Sequence, residues 1–386
     1  MIERATRSVD FEELRARNGA RIGVARLNAE KTLNALTLEM IDLLGERLAA
    51  WAGDPGIALV AMEGAGEKAF CAGGDLHALR ASILEHRASP RRDDIRANAY
   101  ALDFFSREYR LDYLIHTYPR PVLCWGHGIV MGGGIGLMAG ASHRVVTERS
   151  RLAMPEIGIG LYPDVGGTRV LGRMPGKLGL FLALTGAPLD ASDALFAGIA
   201  DCEVPHSGKA RFFEALLGVP WTADRQENGR LLTNLVRGAS APRTDSIGPA
   251  RRNLDLINDA CRHATLSEIA HAVREIATQD PWLAQAATAL EAGSPSSAAL
   301  SHALQQRARN LSLADVFRME LVASMHTAAR PDFAEGIRAL LIDKDRRPRW
   351  SPATLEETTQ EWIEGYFASP WQPAEHPLAD LGAGTG

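Results

Sequence analysis

Two short runs in the first third of the chain, "IALVAMEG" at 57–64 and "PVLCWGHG" at 121–128, are almost unbroken apolar sequence closing on glycine. A strand that is apolar on both faces has to be covered on both, which parallel sheets flanked by helices achieve. The intervening segments fit that demand. "RIGVARLN" (21–28) and "HRVVTE" (143–148) read as further strands. "TLEMIDLLGERLAAW" (37–51) has helical spacing with Thr37 placed as its cap, and "RANAYALDFFSREYRLDYLIHTY" (96–118) predicts a long helix closed by Pro119. Alternating strand and helix signals imply a layered α/β domain.

From about residue 176 the signals turn helical. "GKLGLFLALTG" ends at Gly186, and Asp190 with Asp193 resembles a capping box opening "ASDALFAGIA". Later helices are predicted for "SLADVFRMELVASM" from Ser312, "DFAEGIRALL" from Asp332, and "SPATLEETTQEWIEGYF" with Pro352 in its first turn. The polar stretch from about 205 to 250 predicts no definite element.

Composition removes several function classes. The 386 residues are 46% hydrophobic and 23% charged, ordinary for a soluble globular protein. The formal charge of −5 argues against a general nucleic-acid binder, and no apolar run is long enough to suggest a membrane span. Cys71, Cys124, Cys202 and Cys261 are scattered without a CxxC pair, and His77, His127 and His143 lack ligand spacing, so no metal is expected. The opening "MIERATRSVD" mixes acids with arginines and has no apolar stretch, so a cytoplasmic location is expected.

Two glycine loops carry the chemistry. "FCAGGDL" (70–76) and "HGIVMGGGIGL" (127–137) each follow a strand and lead into a helix. Glycines let backbone N–H groups converge on an anion, and a helix N-terminus adds positive potential. Tight turns and close packing are the plain alternative. Gly134, Gly136 and Ala139 also satisfy a dinucleotide-binding fingerprint, but that motif opens a first βαβ unit, whereas strands precede it here. One N–H from each loop meeting at a carbonyl oxygen fits better. "AMPEIGIGLYPDVGG" (153–167) then brings two acids, Glu156 and Asp164, into apolar company. Two such carboxylates repel, so one is expected to hold its proton near neutrality. Capping of a turn by Glu156 and of the next helix by Asp164 is the structural alternative.

These segments together resemble the crotonase (enoyl-CoA hydratase/isomerase) superfamily, and most closely its 3-hydroxyisobutyryl-CoA hydrolase branch, which "DFAEGIRALLIDKDRRPRWSPATLEE" (332–357) also resembles. The resemblance implies a crotonase-like spiral of ββα units over 1–205 and a mainly helical C-terminal region over 206–386. It implies an enzyme hydrolysing a short acyl-CoA thioester, 3-hydroxyisobutyryl-CoA of valine catabolism or an analogue. By position it assigns the oxyanion N–H groups to Gly74 and Gly133, catalysis to Glu156 and Asp164, and substrate contact to Glu108 and Lys31, for which a solvated helix charge and a surface lysine are the plain alternatives. It implies no cofactor, coenzyme A arriving with the substrate, and a trimer-based homo-oligomer as one possible assembly. Hydratases carry a first glutamate where this chain has Gly136, which moves the expected chemistry away from hydration. After "DVGG" the run "TRVLGRMPG" is closer to the hydratases, a departure that bears on the acyl pocket. An enoyl-CoA isomerase or hydratase, and a non-catalytic acyl-CoA-binding protein, are the other readings.

Overall fold

The computed structural model describes residues 7–241 and 247–383. The chain divides into two compact units, each assembled from three separate segments. The first comprises Met1–Gly74, Leu111–Leu152 and Leu189–Gly248; the second comprises Asp75–Arg110, Ala153–Pro188 and Pro249–Gly386. Residue 205, expected as a domain boundary, lies within the third segment of the first unit.

The first unit is built on a six-stranded sheet of order β1-β2-β3-β5-β7-β9. Its strands are β1 (Val9–Arg15), β2 (Arg21–Leu27), β3 (Ile57–Gly64), β5 (Val122–Gly126), β7 (His143–Val146) and β9 (Cys202–Glu203). All pairs are parallel except β1 with β2. β3 and β5 are buried along their whole length, the outcome their unbroken apolar sequence demands. Three short strands, β4 (Ala69–Cys71), β6 (Ile129–Met131) and β8 (Arg151–Ala153), form a second sheet. The fold class is thus mixed α/β with a parallel sheet, as expected.

Local chemistry explains most element ends. Helix Leu38–Gly53 starts where the Thr37 side chain accepts a bond from the Met40 N–H. Helix Leu178–Thr185 stops at Gly186, whose φ is 59°. Ser312 caps helix Leu313–Ala329 through the Asp315 N–H. Two C-terminal expectations need correction. Asp332 lies inside the first turn of helix Pro331–Ile337 instead of capping it. Its carboxylate is occupied elsewhere, accepting from the Ser294 hydroxyl at 2.6 Å and the Ser351 N–H at 2.8 Å. Pro352 opens no helix either. The residues after it turn through Ala353 N–H to Glu357 and Thr358 N–H to Leu355, and the helix is Gln360–Glu364, capped by Thr359.

The stretch from 205 to 250 that the sequence left open supplies helices Lys209–Gly218 and Arg225–Ala239. Their apolar faces bring Phe212, Leu216, Leu232 and Val236 into a core with Val24, Leu59, Leu123 and Trp125 of the six-stranded sheet. Leu216 is fully buried there. Leu216→Ala should therefore destabilise the protein by about 2–5 kcal/mol, because the cavity collapses only in part. Urea unfolding read by tryptophan fluorescence checks this, and a change below about 1 kcal/mol would contradict the packing described.

Candidate active site

In the second unit, three carboxylates are buried together. Glu108 lies on helix Ala99–His116; Glu156 opens the short 3₁₀ turn Glu156–Ile159; Asp164 precedes helix Gly167–Leu171. They are 3%, 4% and 4% exposed, so water cannot stabilise their charge. Burial pushes all three upward in pKa. Asp164 adds to the rise of Glu156, and both add to that of Glu108. Each charge in the trio therefore makes the next one harder to form.

Neither acid of the "MPEIGIGLYPD" segment serves as a cap. The N-cap residues of the 3₁₀ turn and of helix Gly167–Leu171 are Pro155 and Gly166, and neither makes a side-chain cap bond. Glu156 Oε2 is buried and has no hydrogen-bond partner among the described residues. An orphaned carboxylate oxygen in a buried position is costly, and its persistence asks for a functional reason. Asp164 instead meets a hydroxyl chain that the sequence reading missed. Its Oδ2 lies 2.7 Å from the Tyr109 hydroxyl, which lies 2.7 Å from Ser324 Oγ. Ser324 is 2.8 Å from the Tyr162 hydroxyl, which donates to the Glu320 carbonyl at 2.6 Å.

The protons along this row can be counted. Four oxygen–oxygen contacts each need one proton, and the three hydroxyls supply three. With Asp164 ionised, Tyr109 donates to it and Ser324 has one proton for two neighbours. With Asp164 protonated, every contact is filled: Asp164 donates to Tyr109, Tyr109 to Ser324, Ser324 to Tyr162, and Tyr162 to the carbonyl. Burial raises Asp164 to about 7, while the Tyr109 hydroxyl, donating to its carboxylate, opposes the rise.

Glu320, also unforeseen, fixes the loop that carries Asp164. From helix Leu313–Ala329 its carboxylate accepts the Gly166 N–H at 2.7 Å and the Thr168 N–H at 3.1 Å. Burial raises its pKa to about 8. Between Asp164 and this clamp sits Val165 at φ 53°, a conformation costly for a β-branched residue. The only sequence hint of Glu320 was an acid among apolar neighbours in "FRMELVA".

The two glycine loops meet in the first unit. Gly73 has φ 108° and Gly132 has φ 50°, both in the region where glycine avoids a steric penalty. A Cβ on Gly73 would lie 3.9 Å from the Gly133 nitrogen, so the loops are in close approach. Among the described residues, neither the Gly74 nor the Gly133 N–H donates to a backbone carbonyl. Lys31 is exposed in the turn Glu30–Thr32 after β2. His127 is buried, with Nε2 2.9 Å from the Gly66 carbonyl and its ring against His206, a packing role. Among the described residues no three His, Cys, Asp or Glu gather as metal ligands, and no helix is long and apolar enough to cross a membrane.

Comparison with known proteins adds the family. The pattern described as enoyl-CoA hydratase/isomerase matches residues 22–367. The chain is 37% identical over 345 residues to the mitochondrial 3-hydroxyisobutyryl-CoA hydrolase of Gallus gallus, covering 89% of this chain and 86% of that one. With the human protein of that name it shares 36% over 348 residues, covering 90% and 86%. A crystal structure described as a carnitinyl-CoA dehydratase from Mycobacterium thermoresistibile superposes with TM-score 0.81 at 36% identity, over 94% of this chain and 97% of that one. One described as an enoyl-CoA hydratase from Rhodobacter sphaeroides 2.4.1 gives 0.79 at 34%, over 94% and 98%. The cytoplasmic expectation is corrected by the curated relatives, which are named as mitochondrial. Composition has no purchase on this question, because a soluble enzyme has the same core in either compartment.

The raised pKa of Asp164 makes stability depend on pH. Below its ordinary value of 3.8 the group is protonated in both folded and unfolded chains. As pH rises toward about 7 the unfolded chain loses the proton first, so this contribution to stability is lost progressively. In Asp164→Asn the amide donates permanently to Tyr109 and cannot ionise. The variant should gain stability relative to the parent between pH 4 and about 7 and level off above it. Urea denaturation at stepped pH values measures this; a difference independent of pH would refute the raised pKa of Asp164.

Proposed function

The chain belongs to the enoyl-CoA hydratase/isomerase family, and within it we propose that it hydrolyses a short acyl-CoA thioester, 3-hydroxyisobutyryl-CoA or a close analogue, to the free acid and coenzyme A. The carrying observation is the pairing of Glu156, whose Oε2 is buried without a hydrogen-bond partner among the described residues, with Asp164, a neighbouring acid that burial raises to about 7. The names of the curated relatives support the substrate. A binding protein has no use for so costly a pair.

In this reading the Gly74 and Gly133 N–H groups polarise the thioester oxygen, a contribution of about 3 kcal/mol from each donor. Glu156 takes a proton from water as its oxygen attacks the carbonyl carbon. A base raised toward neutral pH suits that task. Collapse of the tetrahedral adduct breaks the carbon–sulfur bond, and the departing thiolate is protonated within the carboxyl set. Asp164 positions the substrate's hydroxyl or shares the proton traffic. Glu108 contacts the acyl group and Lys31 the phosphates of coenzyme A. Coenzyme A enters as part of the substrate, and the chemistry needs no resident cofactor.

The names of the solved structures favour a second reading, hydration or isomerisation of an enoyl-CoA. Against it stands Gly136, where the hydratases place their first acid. Thiol release from 3-hydroxyisobutyryl-CoA separates the two. The parent chain should liberate free thiol, and Glu156→Gln should slow kcat on the order of 10³-fold with KM changed little. Turnover of an enoyl-CoA without thiol release, or an active Glu156→Gln variant, would overturn the assignment.

A further inference from the structure

The second unit contains a cavity of about 380 Å³ between helices Gly167–Leu171, Leu178–Thr185 and Pro295–Arg307. Arg169, Arg173, Lys177, Arg262, Arg309 and His302 line it, and among the described residues no Asp or Glu does. The contrast with the rest of the chain is sharp. Arg21, Arg144 and Arg338 each have a carboxylate at 2.7–2.8 Å. Among the described residues Arg169, Arg173, Lys177 and Arg309 have no such partner within 4.0 Å; Arg262 faces only the exposed Asp259 at 3.4 Å.

These cations act on one another. Arg173 and burial both lower the proton affinity of Arg169, and Lys177 and Arg309 reinforce the effect of burial on His302. Like charges around a concavity in a chain of net charge −5 create a focused positive potential. Arg169 spends one guanidinium N–H on the Leu311 carbonyl at 3.1 Å and keeps the others. The volume suits a small molecule. Among the described residues no Phe, Tyr or Trp lines the cavity, so they offer no indole, phenol or phenyl face for stacking a nucleobase.

We propose that this cavity binds a multiply charged phosphate compound, held through its phosphate oxygens by Arg169, Arg173, Lys177 and Arg309. Arginine forks match phosphate oxygens in pairs, and four unneutralised cations exceed what one carboxylate can satisfy. The ligand's phosphates could belong to a free nucleotide or to coenzyme A, and this binding does not depend on the hydrolase reading.

Isothermal titration of the full chain with inorganic tripolyphosphate at low ionic strength tests the site. Saturable 1:1 binding that weakens as salt is added is expected, with about tenfold or greater loss in K177E/R309E. R173E, on an exposed side chain, gives the same reading if the double variant melts early. ATP and coenzyme A titrated alongside identify the source. Loss of coenzyme A affinity in the variants assigns the site to the substrate's own phosphates, and loss confined to ATP and tripolyphosphate assigns it to a separate ligand. No saturable tripolyphosphate binding, or equal binding by folded variants, overturns the proposal.

Discussion

A row of four oxygen–oxygen contacts with only three hydroxyl protons governs the chemistry of the second unit. Asp164 stands at one end of the row, where burial raises its pKa and the Tyr109 hydroxyl lowers it. Buried acids are commonly tamed by arginine or lysine, which would lower their pKa and hold them ionised. Here burial does the reverse, the Tyr109 hydroxyl offsetting part of it at Asp164, and Glu156 keeps an oxygen without a partner among the described residues.

That arrangement depends on a loop the backbone would not adopt by itself. Val165 is twisted into a left-handed conformation worth about 1–3 kcal/mol of strain. The Glu320 carboxylate offsets it by accepting two amide protons at the start of helix Gly167–Leu171. Glu320 sits about 150 residues downstream in the chain and also supplies the carbonyl that ends the hydroxyl row. One residue of helix Leu313–Ala329 thus holds both the loop after Asp164 and the far end of the hydroxyl row.

Legibility in the sequence followed the range of the interaction. β3 and β5 could be read because unbroken apolar runs have few other uses, and helix Leu38–Gly53 because Thr37 bonds three residues away. The short strands β4, β6 and β8 could not, since three residues carry no period. Pro352 and Asp332 misled because a local signal for a helix start competed with side-chain bonds that only the folded chain reveals. The burial of Glu156, Asp164 and Glu108 agrees with the apolar setting of the first two and with family resemblance for the third. Tyr109, Tyr162, Ser324 and Glu320 had no signal of their own, because hydroxyl partners 55 to 215 residues apart leave no spacing rule.

The division into interleaved segments carries a consequence for biosynthesis. The polypeptide passes between the two units five times, at residues 74, 110, 152, 188 and 248. Neither unit corresponds to a fragment that a ribosome could release early: the first awaits residue 248 and the second awaits the C-terminal helices. Nascent chains therefore spend most of translation with long-range pairings unmade, a period in which exposed β3 and β5 invite self-association. Premature termination should leave insoluble remnants instead of a working half.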